Sequence, residues 1–279
     1  MDCLFVSDLH GNKKRYSKIF DIVEKEKPDA VFFGGDLLPN SFGIDCDVGK
    51  FLEEEFFSKV EKHLGKTRFF VIMGNDDPRV FEEHFIDADK KGLIEYVPEK
   101  TVEFEDLFVT GYPFVPPTPF QLKDWERYDV SRFVDVGGVS PEKGVRTVDV
   151  DRDKIRFSTI SEDLENIVKN APPEKTIFLF HSPPYKSNLD RAGLDGKMVD
   201  SAPMDVHVGS IAIQRFIKKY QPFLTLHGHI HETVDLTGEW KDSFGKTISF
   251  TGVSNNSQFV IVAFDTNSLE KAERISFKV

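Results

Sequence analysis

The sequence predicts an α/β protein built on a parallel sheet. Short apolar runs rich in Val, Ile and Phe alternate with segments of helical periodicity. The order strand-helix-strand-helix-strand over residues 1–77 is that of parallel strands joined by right-handed crossovers. Glycine or a polar residue follows each apolar run directly, so the strands stop where loops begin.

The elements follow in order. Leu4-Phe5-Val6 is a buried strand ending at Ser7-Asp8-Leu9-His10-Gly11. Tyr16, Ile19, Phe20 and Val23 fall at i, i+3, i+4 and i+7 of an amphipathic helix closed by Pro28. Ala30-Val31-Phe32-Phe33 is a second strand, broken by Gly34-Gly35 and followed by Asp36. A loop holding Pro39, Asn40 and Gly43 leads to a helix marked by Leu52, Phe56, Val60 and Leu64. Residues 68–73 form a third strand before Gly74-Asn75-Asp76-Asp77-Pro78, and 92–110 reads as shorter strands of a second sheet or a sheet edge.

Residues 112–120 hold four prolines and two phenylalanines, which excludes helix and central strand. From there to about residue 157 the chain is polar and weakly patterned. It reads as a lid-like insertion at about 112–157 in a single domain spanning 1–279. A short helix over 161–170 precedes the strand Thr176-Ile177-Phe178-Leu179-Phe180, which ends at His181. Ser210 caps a helix burying Ile213, Phe216, Ile217 and Tyr220. Phe223-Leu224-Thr225-Leu226 then ends at His227-Gly228-His229-Ile230-His231, and strands near 247–251, 259–264 and 274–279 close the chain.

Composition narrows the function. With 39% hydrophobic and 30% charged residues, the 279-residue chain is an ordinary soluble globular protein with ample core. Its 27 phenylalanines point to a Phe-packed interior. A net charge of −11 argues against broad binding to nucleic acid or an anionic membrane, and neither partner is expected. Cys3 and Cys46 form no disulfide framework, no apolar run approaches the roughly 20 residues of a membrane span, and the first residues lack the basic stretch of a signal peptide. A cytoplasmic protein is expected.

Each short apolar strand of the α/β pattern is followed by metal-competent side chains: Asp8 and His10, Asp36, Asn75, His181, then His227 and His229. Singly, each is an ordinary loop residue. In open α/β sheets, however, ligands gather outside the carboxyl ends of the strands, so the positions are expected to converge. Seven oxygen and nitrogen ligands exceed the needs of one ion and suit two ions sharing a carboxylate. The mixed donor set favours Mn²⁺, Fe or Zn²⁺ over Ca²⁺ without choosing among the three; Mn²⁺ is the favoured expectation.

Asp8-x-His10, Gly35-Asp36, Gly74-Asn75, His181 and the Gly228-flanked His227 and His229 together resemble the calcineurin-like metallophosphoesterases. The resemblance spans nearly the whole chain. It implies a four-layer α/β/β/α sandwich of two mixed sheets flanked by helices, with a dinuclear metal centre at the loop ends. By the same resemblance Asp8, His10 and His229 hold the first metal, Asn75, His181 and His227 hold the second, and Asp36 bridges them. The implied activity is hydrolysis of a phosphate ester by a metal-bridging hydroxide attacking phosphorus in line.

One position departs from the family. Where much of it has a histidine after the motif asparagine, this chain has Asp76, a poor proton donor at an ordinary carboxylate pKa. His207 and His231 are the candidate substitutes. Arg79, four residues after Asn75, matches a phosphate-binding arginine of the protein phosphatase branch. The missing histidine favours phosphodiesters over monoesters as small substrates, as does a proline- and aromatic-rich stretch (112–120, then Trp125) placed to flank an organic group. The alternatives are a phosphomonoesterase or protein phosphatase-like hydrolase, and a non-catalytic metal-binding scaffold.

Overall fold

Period-two alternation in the strands decides how the layers stack. In the computed structural model, which describes residues 1–39, 47–255 and 257–278, two six-stranded mixed sheets face each other. The first contains β1 (Asp2–Val6), β2 (Ala30–Gly34), β3 (Arg68–Ile72) and β4 (Glu95–Tyr96), all parallel. The second contains β5 (Thr101–Phe104), β6 (Leu107–Tyr112) and β7 (Thr176–Phe180), with β6 parallel to β7 and β5 antiparallel to β6. A separate small hairpin comprises β8 (Met198–Val199) and β9 (Ala202–Pro203). The second sheet continues with β10 (Leu224–His227), β11 (Lys241–Phe244) and β12 (Thr247–Thr251), and β10 runs parallel to both β7 and β12. Antiparallel β13 (Gln258–Asp265) and β14 (Glu273–Lys278) complete the first sheet on the far side of β1.

One face of each strand enters the space between the sheets. Phe5, Phe32, Phe70 and Ile72 from the first sheet meet Phe104, Ile177, Leu179, Leu226 and Phe250 from the second. Phenylalanine rings interlock there, with Phe32 and Phe70 stacked at 5.1 Å and Phe104 edge-on to Phe70 at 5.2 Å. The opposite faces bury Phe33 and Phe69 under one helix layer and Phe178 and Phe180 under the other. The expected four-layer α/β/β/α sandwich is therefore the observed fold.

Helix α1 (Lys13–Glu26) lies on the first sheet and buries Tyr16, Ile19, Phe20 and Val23. Asn12 caps it, accepting from the backbone N–H groups of Lys14 and Arg15. The next helical segment is compound: α2 (Val48–Leu52), a π turn (Glu53–Phe57) and α3 (Ser58–Glu61). A side chain every fourth residue drifts around an α-helix of about 3.6 residues per turn, and the wider π turn absorbs the drift. Leu52, Phe56 and Val60 thus share the buried face, whereas Leu64 lies beyond the helix and is exposed. Helix α4 (Glu82–Lys90) completes this flank. Asn40, Gly43 and Cys46 lie outside the described residues.

After the short α5 (Arg152–Phe157), α6 (Ile160–Ile167) and α7 (Ile211–Tyr220) cover the second sheet. Ser210 caps α7 as expected, accepting from the N–H of Ile213. Among the described residues no helix is long and apolar enough to cross a membrane. Residues 112–157 are more packed than their composition suggests. Phe114, Trp125 and Tyr128 are buried, and Lys123 and Glu126 form a fully buried ion pair at 2.5 Å. This segment is pinned at both ends: Trp125 Nε1 donates to the Asp77 carbonyl at 2.9 Å, and Asp129 accepts from Ser210 and the N–H groups opening α7.

Candidate metal centre

The carboxyl ends of β1, β2, β3, β7 and β10 open on one side of the sandwich. The β1 and β2 loops stay zipped beyond the sheet, with Asp8 N–H donating to Gly35 O at 2.9 Å and His10 N–H to Asp36 O at 2.8 Å. Arg15, buried at the start of α1, donates to the Asp8 carbonyl at 2.7 Å. These contacts hold Asp8, His10 and Asp36 at φ of 58°, 47° and 54°, and His229 sits at 78°. Four candidate ligands thus occupy the left-handed region that non-glycine residues rarely enter, a local strain the surrounding loops must hold.

Three overlapping donor groups result. Asp8, His10 and His231 form the first, Asp36, His181 and His229 the second, and His10, Asp36 and Asp76 link them. His231 Nε2 lies 3.1 Å from both Asp8 Oδ1 and His10 Nε2. His181 Nε2 lies 3.0 Å from Asn75 Oδ1 and 3.2 Å from Asp36 Oδ2, while its Nδ1 donates to Gly34 O at 2.7 Å. Gly74 and Gly228 let these loops close: a Cβ on Gly74 would collide with Asp36 Oδ1, and one on Gly228 would sit 2.7 Å from Asp8 Oδ2.

His227, expected beside Asn75 and His181, is not among these groups. It is the last residue of β10, and strand alternation puts it on the same face as Thr225, towards the helices. Its Nδ1 donates to Ser182 O at 2.9 Å, the Thr225 hydroxyl donates to its Nε2 at 2.8 Å, and its ring stacks on Phe180 at 5.6 Å. The donor pair of this run is therefore His229 and His231. His229 joins the His181 group instead of the Asp8 group, and His231 takes the place beside Asp8 and His10.

Other expected site residues fall in different places. Asp76 is half-exposed beside the centre, its Oδ2 3.9 Å from His10 Nδ1. Its Oδ1 accepts from Asn75 Nδ2 at 2.8 Å, which turns the Asn75 oxygen inward. Arg79 is committed elsewhere: its Nε donates to Glu82 at 2.8 Å and its guanidinium lies over Trp125 at 4.8 Å. Trp125, expected to flank an organic group, is buried beneath the Asn75 loop and presents no free face. His207 lines a cleft of about 290 Å³ that also reaches His229. Its Nδ1 lies 2.8 Å from the fully buried Asp190.

Two contributors escape sequence reading. Asp77 is fully buried and accepts from the N–H groups of Leu37 at 2.9 Å, Leu38 at 2.7 Å and Gly74 at 2.9 Å, tying the Asp36 loop to the Asn75 loop. Asp190 gathers the N–H groups of Lys186, Ser187 and Gly209 besides the His207 ring. Its partner Gly209 comes from a distant turn of chain, so no local pattern marks Asp190 out.

The electrostatics fit a cation. Burial alone would raise Asp8 and Asp36, but His231 holds Asp8 down and His181 holds Asp36 down. Burial would lower His181, yet the Asp36 and Asp8 charges push it up to about 10. The His181 proton therefore supplies positive charge between Asp36 and Asn75, where a cation would release it. Burial, reinforced by the charge of His181, takes His229 down to about 3, so its imidazole is neutral as a ligand must be. Burial and then Asp36 push Asp76 up to about 7, which nearby dications would reverse. Carboxylate, amide and imidazole donors, buried or half-buried and brought close together, suit two borderline divalent ions.

The sequence model of a family described as calcineurin-like phosphoesterase matches residues 1–233 of the chain. No curated protein matches by sequence. Among solved structures, the protein TT1561 of Thermus thermophilus is similar over 99% of this chain and 98% of its own, at 14% identity and a TM-score of 0.59. A second solved chain matches over the same shares at 16% identity, also with a TM-score of 0.59. A protein described as a novel archaeal phosphodiesterase covers 99% of this chain and 100% of its own at 13% identity, with a TM-score of 0.43. For the first two, at such identities, the likeness is one of fold.

Proposed function

The chain belongs to the calcineurin-like phosphoesterase family, and on that basis we propose that it is a metal-dependent phosphodiesterase acting on small esters. The observation that carries this reading is the pair of donor groups, their carboxylates buried, joined through Asp36 and His10. Asp8, His10 and His231 would hold one ion, Asn75, His181 and His229 the other, with Asp36 between them. Two such ions supply Lewis acidity and lower the pKa of a bound water.

The protein's own groups bias the site towards diesters. A monoester carries up to two negative charges and a diester one. The centre presents the Asp76 carboxylate where the family's histidine would stand, and Arg79 is tied to Glu82. Like charge beside the phosphate therefore penalises the monoester more. Metal-loaded protein is expected to hydrolyse bis-p-nitrophenyl phosphate with kcat/KM at least about tenfold above p-nitrophenyl phosphate, some 1.4 kcal/mol of discrimination. Turnover of neither ester by protein carrying two metals per chain would refute the enzyme.

The leaving oxygen needs a proton, and the Asp190–His207 pair supports that role. Asp190 fixes the ring through Nδ1, which leaves Nε2 to face other partners. His207→Gln is expected to slow alkyl esters about 10²-fold in kcat, the low end for general acid catalysis. p-Nitrophenyl esters, whose leaving group needs no proton, should be spared. Equal losses on both ester types would remove His207 from the chemistry.

A further inference from the structure

Beside the metal centre, and sharing His229 with it, lies the cleft of about 290 Å³. One wall comes from the segment at 116–138 and the other from the loop carrying β8 and β9, and the two meet closely. A Cβ placed on Gly137, at φ +89°, would lie 2.9 Å from Met204 Cε. Pro116, Phe120, Val136, Leu194, Met204 and Ile230 give the cleft an apolar surface. Phe120 and Phe133 stand 55% and 71% exposed, rings at the mouth that the fold itself does not cover.

Apart from the histidines His207 and His229, the charged side chains lining this cleft are all acidic. Asp135, Asp205 and Glu232 line it, and none of the described residues lining it is a lysine or arginine. Among the described residues, no hydrogen bond or ion pair commits the Asp135 carboxylate, whereas Asp205 accepts from Tyr185 at 2.6 Å and from the His207 N–H at 2.9 Å. Neighbouring Asp205 adds to the burial that raises Asp135. A phosphate or carboxylate entering here would meet carboxylates across apolar walls and find no lysine or arginine to pair with.

We propose that this cleft selects the organic group of the ester, accepting an apolar body without negative charge and rejecting one that carries a second phosphate. The inference rests on the phosphodiesterase reading above and narrows its substrate class. Continuity through His229 puts the organic group in the cleft while the phosphate lies at the donor groups. The aromatic mouth supplies contact area, and the carboxylate rim excludes further anions, so specificity comes largely from repulsion. Nucleotides bearing an extra phosphate are thereby disfavoured relative to aryl, plain nucleoside or alkylammonium esters.

A matched pair tests this: the p-nitrophenyl ester of thymidine 5′-phosphate, with and without a 3′-phosphate. On metal-loaded protein the added phosphate is expected to lower kcat/KM at least about tenfold, mostly through KM. Asp135→Lys should shrink that penalty several-fold, read as the ratio of kcat/KM for the two esters on the same variant. Phosphonate analogues of the pair, titrated calorimetrically, should bind in the same order whether or not an ester is cut. That binding order without turnover would sustain the cleft's selectivity and overturn the enzyme. Equal kcat/KM for the two esters, or equal binding of their analogues, would overturn the selectivity and leave the enzyme standing.

Discussion

Asp36→Ala is expected to lower diester hydrolysis by at least about 10³-fold, the loss of some 4 kcal/mol of charge stabilisation at the centre. Asp36 is the residue that the linked donor groups share with His10. Its Oδ2 lies 3.2 Å from His181 Nε2, and its Oδ1 accepts the Asp76 N–H at 2.8 Å. Removing it takes away the common carboxylate and leaves His181 without the charge that chiefly raises it. Metal content by atomic emission should fall below two per chain, while far-UV circular dichroism stays unchanged because the strands are untouched. Turnover within tenfold of the parent, with two metals retained, would contradict the bridging role.

Substituting the two outer histidines of the His227-Gly228-His229-Ile230-His231 run should give opposite phenotypes. His231→Ala removes a donor lying 3.1 Å from Asp8 and His10. It is expected to lose about one metal per chain and about 10²–10³-fold in kcat, on the scale of a few kcal/mol lost from the centre. His227→Leu should keep both metals and lose stability. It strands the Ser182 carbonyl in the interior, a cost of about 1–3 kcal/mol, while the Thr225 hydroxyl keeps Ser249 at 2.6 Å. In a chain of this size that is a melting point lower by roughly 2–10 °C. Metal loss from His227→Leu, with His231→Ala fully loaded, would restore the opposite assignment.

Those two histidines also mark how far the sequence could be read. The strands were legible because short apolar runs ending in glycine and polar residues admit few other structures, and Asp8, His10, Asp36, Asn75, His181 and His229 lie where that pattern puts them. Counting ligands from the end of the apolar run treats His227 as the first loop residue. Alternation through Leu224, Thr225, Leu226 and His227 assigns it to the strand, facing the helices, and that signal was present in the residues themselves. The segment at 112–157 was opaque for another reason. Its order comes from Trp125 reaching Asp77, Asp129 reaching α7 and a buried Lys123–Glu126 pair. Such long-range polar contacts leave no periodicity to detect. Arg79 misleads because position relative to Asn75 says nothing of its neighbours Glu82 and Trp125.

The left-handed backbone at Asp8, His10, Asp36 and His229 has a consequence for how the centre fills. Isolated peptides of these sequences would seldom visit such angles, so the geometry exists only once both sheets have assembled. The ordering entropy is then spent during folding, before any ion arrives. Uptake of ions at these donors is then expected to ask no loop to rearrange, so that their intrinsic affinity would not be diluted by a search through open conformations. In this respect the protein would be a rigid receptor for ions, unlike small metal-dependent domains whose ligands gather only around the bound metal.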